Sequence, residues 1–187
     1  RLLLDTQHQH SLDSTHRRCL HWNRSDERGH HPQVSYAGMM EYDGDLKAPK
    51  QYLVPPPEIK DTVGDRMAAA QKRVLSISET QKFGHVTFFF NGNRSAALPF
   101  ESQVEIPSSN IPFDQKPKMS AHEITEYVIE AVHSHQFDHI RFNIANGDMV
   151  GHTGNFEATV KAVEVVDDCI GEIYKQCKKS GFLLILT

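Results

Sequence analysis

The spacing of apolar and polar positions divides the chain into unlike parts. Residues 1–31 show neither a helical nor an alternating period, and large apolar residues are scattered among histidine, arginine and serine. Residues 32–60 are punctuated by proline and glycine. Pro55, Pro56 and Pro57 fit neither a helix interior nor a central strand, so this stretch reads as an extended connecting segment. Regular patterning begins after it. Asp61 or Thr62 can cap a short helix running through Lys72. Val74 to Ser78 predicts a strand. His85 to Phe90 predicts a second, closed by a turn at Asn91-Gly92-Asn93. Ser120, with Glu123 placed to answer it, predicts a helix opened by a capping box, and Ile124, Val128 and Ala131 recur along it at helical spacing. His139 to Ala145 predicts a strand, followed by a glycine-bearing loop from Asn146 to Gly154. The longest helix is predicted from about Asn155 to Lys179. Phe156, Val160, Val163, Ile170, Ile173 and Cys177 form its buried stripe. Lys178 and Lys179 complement its C-terminal dipole, and Gly181 supplies the stop. Phe182 to Thr187 predicts a continuous apolar strand.

Strands alternating with helices predict an α/β fold with a mainly parallel sheet and flanking helices. The stretch from His139 to Thr187 reads as one right-handed βαβ crossover. Three divisions follow: a divergent, poorly ordered segment over 1–31, the connecting segment over 32–60, and a packed domain over 61–187. In such sheets a ligand crevice lies beyond the carboxyl ends of strands. The loop after Ala145 stands at such a place.

Composition narrows the function. Hydrophobic residues make up 39% of the 187 and charged residues 24%, which allows a packed core in one domain or part of a larger one. No run of 18 apolar residues exists, so no transmembrane helix and no membrane partner are expected. A net charge of −4 offers no polycationic surface for nucleic acid. The low and odd number of cysteines argues against a disulfide scaffold and for a reducing, cytoplasmic setting. Six of the 12 histidines lie in residues 1–31, but without ligand spacing or a carboxylate cluster they do not make a convincing metal tract.

The richest local chemistry is in Asn146-Gly147-Asp148-Met149-Val150-Gly151-His152-Thr153-Gly154. Asp148 and His152 stand four apart at a strand's carboxyl end. A carboxylate with a neutral imidazole suits a divalent ion such as Mn²⁺ or Zn²⁺, though two ligands do not close a site. The plainer alternative is that Asp148 caps a helix while His152 packs in the loop. A second cluster, Ser78 to His85, includes Lys82, a candidate point charge for phosphate with Thr80 or backbone amides beside it. The alternative is a solvated lysine. His85 reads as a structural, hydrogen-bonded histidine. Asp43-Gly44-Asp45 reads as a turn, and Cys169 and Cys177 as core thiols. No nucleophile elbow, Walker loop or dinucleotide fingerprint occurs.

Five segments together resemble the cofactor-independent (2,3-bisphosphoglycerate-independent) phosphoglycerate mutases of the plant and protist branch. They are YAGMMEYDGDLKAPKQYLVPPPEI at 36–59, SETQKFGHVTFFFNGNRS at 78–95, VEIPSS at 104–109, KPKMSAHEIT at 116–125 and NIANGDMVGHTGNFEATVKA at 143–162. The resemblance runs in order from Tyr36 to Thr187 and implies a metal-dependent fold of the alkaline-phosphatase type. It implies interconversion of 3-phosphoglycerate and 2-phosphoglycerate in glycolysis and gluconeogenesis. The route is through a phosphoserine intermediate, with two divalent ions, commonly Mn²⁺ (Mg²⁺, Co²⁺ or Zn²⁺ in its place), and without bisphosphoglycerate. Carried onto this chain, Asp148 and His152 match two ligands of one metal. Lys82 matches the lysine that contacts the transferring phosphoryl group. A metal clamp plus a lysine neutralises charge on phosphoryl oxygens, so the chemistry is consistent.

The resemblance also implies departures. The family's serine nucleophile and an early Asp ligand have no counterpart in the matched stretch. The family's T-A-D-H-G-N run, with ligands of the second metal, begins at the position of Thr187. The chain is therefore expected to lack a nucleophile and to be inactive alone, and the complete enzyme is expected to be a monomer. NRSDER at 23–28 only partly matches a substrate-binding run, which leaves Arg24 and Arg28 as weak candidates. The competing reading is a non-catalytic remnant of the fold that binds a metal or a partner.

Overall fold

The computed structural model describes residues 2–5, 35–41, 49–55 and 57–187. The chain forms two compact units, Arg1–Glu58 and Ile59–Thr187. The first unit carries a parallel sheet of β1 (Leu2–Asp5), β2 (Ser35–Met40) and β3 (Tyr52–Val54) in that order. Leu2 pairs with Ser35 and Gly38 with Tyr52. The connecting segment thus contains two strands, and β3 stops directly before Pro55, where the backbone loses its donor. Residues 24 and 28, the 43–45 turn and most of the histidine-rich stretch lie outside the described residues.

The second unit opens with α1 (Val63–Ala69). Its Thr62 cap is specified locally: Asp65 N–H donates to Thr62 Oγ1 at 3.2 Å, and Thr62 N–H donates to Asp65 Oδ2 at 2.8 Å. Arg94 grips Asp65 at 2.7 and 2.8 Å, and this guanidinium, more than any other neighbour, holds the Asp65 carboxyl well below the usual range. The central strand β4 (Val74–Glu79) is buried along its whole length. A 3₁₀ turn, Thr80–Lys82, leads into the short helix α2 (Phe83–Val86). Then come β5 (Glu101–Ile106), α3 (Ala121–Ser134), β6 (His139–Asn143), α4 (Asn146–Gly151) and α5 (Phe156–Ser180). The sheet order is β5-β4-β6, all parallel.

Several expectations change. His85 to Phe90 is not a strand. An apolar run of this length does not separate strand from helix by period. Here the backbone is satisfied locally: Phe89 N–H donates to Gly84 O and Asn91 N–H to Thr87 O, both at 2.9 Å. The partner of β4 is instead β5, whose polar sequence ESQVEI hides its strand character. The predicted capping box at Ser120 is also absent, because Ser120 N–H donates to Glu79 Oε2 at 3.2 Å. Residues 146–151 form a helix rather than a loop. In α5, Asn155 caps through Ala158 N–H and Gly181 stops the helix at φ 74°. The buried face of its first half is Ala158 and Ala162, not Phe156, Val160 and Val163, which are exposed. Phe182 to Thr187 forms no strand: Phe182 and Leu184 pack on the core while Leu183, Ile185 and Leu186 face outward.

The sheet has two unlike faces, set by the period of two along each strand. Leu75, Ile77, Val104, Ile106, Ile140 and Phe142 form the apolar face, packed on Ile124, Val128, Val132, Ile173 and Cys177 of α3 and α5. The opposite face carries Ser76, Ser78, Glu101, Gln103, Arg141 and Asn143. At its centre Arg141 Nη2 lies 2.7 Å from Glu101 Oε1, with side chains only 9% and 3% exposed. Ser76 Oγ, between them, accepts from Arg141 and donates to Glu101, each at 2.6 Å. Arg141 also donates to Val86 O at 2.8 Å and lies 3.6 Å from the Phe90 ring centre. Asn91, Gln103 and the Leu98 N–H donate to Glu101 Oε2 at 2.8, 3.2 and 3.0 Å.

Removing one member of such a pair leaves a buried charge uncompensated, at a cost of about 3–5 kcal/mol. Arg141→Met should therefore lower stability by about that amount in urea unfolding. The double variant Glu101→Leu/Arg141→Met should lose less than the sum of its singles, and additive losses would contradict the coupling. Burial raises the Glu101 pKa, but its hydrogen bonds from Ser76, Leu98, Asn91 and Gln103 outweigh it and leave the group below its ordinary 4.5. Its stabilisation is thus present above the unfolded carboxyl's pKa and lost as pH falls through the lowered folded value. Glu101→Gln should flatten the acid limb of a stability–pH curve below 4.5, and an unaltered limb would exclude Glu101 as its source.

Candidate active site

β4 and β6 lie side by side, with Ser78 opposite Asn143, so their carboxyl ends open at one place. From β4 the chain turns through Thr80–Lys82. From β6 it passes Ala145 into α4, which bears Asp148 in its first turn, with His152 as its C-cap. Lys82 Nζ meets Asp148 Oδ2 at 2.5 Å, and His152 Nε2 stands 3.4 Å from Asp148 Oδ1. Residues 66 positions apart in sequence, and a pair one helical turn apart, thus share one carboxylate.

The plainer readings of these residues do not describe the geometry. Asp148 lies inside the helix, whose N-cap is Ala145, and its carboxylate faces Lys82 and His152. His152 is not packed away but 70% exposed. Lys82 is not solvated: its side chain is 9% exposed, so its charge acts with little screening by water. Thr80, expected beside a phosphate, instead donates to Glu105 Oε1 at 2.7 Å. His85 lies on α2, exposed, with its ring edge-on to Phe89 at 5.5 Å. Cys169 and Cys177 are buried thiols, and burial, first among the causes, raises both pKa values.

Other residues around this end were not singled out by sequence. Glu79, fully buried, accepts from Ser108 Oγ at 2.8 Å and from Ser120 N–H at 3.2 Å. Asn146 is also fully buried; its Nδ2 donates to Pro117 O at 2.6 Å, while Oδ1 is buried without a protein partner, as is Asn143 Oδ1. The available signal was position: a polar residue ending a wholly buried strand, and an asparagine opening a helix.

Asp148 and His152 fit a divalent ion in chemistry, and Lys82 already places a positive charge against Asp148. Among the described residues no group of three His, Cys, Asp or Glu side chains comes together. Asp148 and His152 are thus two candidate donors, and no third such side chain joins them among the described residues.

The metalloenzyme superfamily model matches residues 4–187, which takes in most of the first 31 residues. The chain belongs to the metalloenzyme superfamily. It is 49% identical over 163 residues to a probable 2,3-bisphosphoglycerate-independent phosphoglycerate mutase of Leptospira interrogans, covering 86% of this chain and 30% of that protein. A mutase of Arabidopsis thaliana described in the same terms is 46% identical over 177 residues, 92% of this chain and 32% of the relative. In structure the chain is similar to a Leishmania mexicana phosphoglycerate mutase studied at low cobalt concentration. The TM-score is 0.74 at 42% identity, over 84% of this chain and 29% of that one. It is thus a homologue of these mutases, spanning less than a third of their length, with the parallel α/β architecture of the superfamily. No helix among the described residues is long and apolar enough to cross a membrane.

A buried ammonium facing a half-exposed carboxylate makes an asymmetric prediction. Asp148→Asn strands the Lys82 charge and should lower the melting temperature. Lys82→Met replaces a buried cation by an apolar chain of similar length and should preserve or raise it. Equal losses in both variants would contradict the burial of Lys82.

Proposed function

We propose that this chain carries the Lys82–Asp148–His152 part of a 2,3-bisphosphoglycerate-independent phosphoglycerate mutase centre. The reaction would interconvert 3-phosphoglycerate and 2-phosphoglycerate through a phosphoserine. The observation that supports this most is the meeting of Lys82 with Asp148 and His152 at the carboxyl ends of adjacent strands. On this reading Asp148 and His152 hold one divalent ion, Mn²⁺ by preference, and the remaining donors and the serine come from outside this constellation. The bound ion would supply Lewis-acid stabilisation of phosphoryl oxygens.

The residues' own roles follow from their placement. Lys82, shielded from water, presents a fixed positive charge to a phosphoryl oxygen as the group leaves one hydroxyl for another. Asp148 holds Lys82 in place by the ion pair and offers its other oxygen toward His152. The substrate would be a small phosphorylated hydroxy acid, whose negative charge suits a lysine. No nucleic acid or membrane partner is implied.

With only two donors together, Mn²⁺ binding should be weak. Loss of the free-ion electron paramagnetic resonance signal on titration should reveal it in the wild type. Asp148→Ala and His152→Ala should each remove the binding. Binding unchanged in both variants would overturn the metal assignment. Binding intact in the wild type, but insensitive to 3-phosphoglycerate and abolished by neither Mg²⁺ nor Co²⁺ competition, would instead favour a metal-binding module of another specificity.

A further inference from the structure

Lys82 is held in place by a device that lies outside the proposed site. The three residues before it each bond to Ser108. Ser108 Oγ donates to Glu79 Oε1 at 2.8 Å. The Ser108 N–H donates to Thr80 Oγ1 at 3.2 Å. Gln81 N–H donates to Ser108 Oγ at 3.3 Å. Ser108 follows the end of β5 at Ile106 and stands directly after Pro107, whose fixed φ directs the chain back toward the exit of β4. The other oxygen of Glu79 accepts the Ser120 N–H at the start of α3. A fully buried carboxylate is therefore held between the β5 exit and an α3 terminus, and the 3₁₀ turn that begins beside it ends at Lys82.

We infer that Ser108 is a positioning residue for Lys82, acting through Glu79 and the Thr80–Lys82 turn. This rests on the assignment of Lys82 above. The turn is short, and besides the bonds to Ser108 it is tied to β5 by the Thr80 hydroxyl, which donates to Glu105 Oε1 at 2.7 Å. Without the hydroxyl, Glu79 Oε1 loses its donor and Gln81 N–H its acceptor, both on the backbone stretch that aims the ammonium. A buried unpaired group of this kind drives local rearrangement. The turn then has no reason to keep Nζ at 2.5 Å from Asp148, whose own helix is fixed independently by β6. Ser108 touches neither Lys82 nor Asp148 in this scheme and does no chemistry itself.

The test reads the ammonium directly. Nitrogen-15-edited NMR of lysine side chains detects a buried, ion-paired ammonium because its protons exchange slowly, and Lys82→Met assigns the resonance by removing it. Ser108→Ala should lose that resonance while circular dichroism still shows the folded chain, and Ser108→Thr, which keeps the hydroxyl, should retain it. Thr80→Val, on an exposed residue, removes one of the three contacts together with the Thr80–Glu105 hydrogen bond and should broaden the same resonance. A resonance unaltered in both Ser108→Ala and Thr80→Val would overturn the inference and leave the mutase reading standing. Loss in Ser108→Thr as complete as in Ser108→Ala would overturn the role of the hydroxyl. If Lys82→Met removes no resonance, the ion pair is absent and the inference fails with it. The mutase reading is then judged separately, by the Mn²⁺ titration.

Discussion

Glu101 and Arg141, buried and 2.7 Å apart, join the two outer strands of the sheet across the central one. Neither is in the candidate site, yet the site depends on them. Their contact runs over Ser76, which hydrogen-bonds to both, so the three strands are held in one register on this face. That register puts Ser78 opposite Asn143 and brings the exits of β4 and β6 together. Parallel sheets are usually apolar on both faces. Here one face is polar; the Glu101–Arg141 pair at its centre is met by named donors and acceptors, while Arg141 Nη1 and Asn143 Oδ1 are buried without a protein partner. The same face is covered by α2 and the turns after it, where Phe90 stacks under Arg141.

The end of the sheet that bears the candidate site continues the same pairing of buried charges. Glu79 ends β4 on the apolar side of the sheet, and the structure meets its buried carboxylate with Ser108 and Ser120. Lys82, three residues on, is buried too and meets Asp148. Two buried ionisable groups within one turn are costly unless each is paired. Their pairing makes a rigid ledge between two strand ends. A fixed charge on such a ledge can favour a developing negative charge without reorganising at the moment of reaction. This agrees with membership of a metalloenzyme superfamily whose relatives here are phosphoglycerate mutases.

What could be read in the sequence was what local pattern controls. The Thr62 cap, the β4 strand, the span of α5 and its Gly181 stop are set by neighbours in sequence. The Asp148–His152 pair stands out by its four-residue spacing, but the stretch reads as a loop in sequence, and the helix that makes the pair one turn does not show there. Distant partners were not readable in this way. ESQVEI resembles a loop until Glu101, Gln103 and Arg141 are seen to share a polar sheet face. HVTFFF resembles a strand until its backbone bonds are found within its own turns. Ser120 resembles a capping box until Glu79 takes its N–H. The α5 stripe fails at its start because small residues, Ala158 and Ala162, make the buried contact while Phe156 is 81% exposed. The union of Lys82 with Asp148 required the strand order, which local pattern does not carry; the family resemblance assigns both residues to one centre without giving their contact.

The central claim is that Asp148 and His152 ligate a metal on a ledge whose charge is supplied by Lys82. The most direct measurement is anomalous diffraction at the manganese edge from crystals of this chain grown with Mn²⁺ and 3-phosphoglycerate. The account predicts a peak in direct contact with the Asp148 carboxylate and the His152 imidazole, with the substrate's phosphate against Lys82 Nζ. A manganese peak elsewhere on the chain, with Asp148 and His152 unengaged, would contradict it.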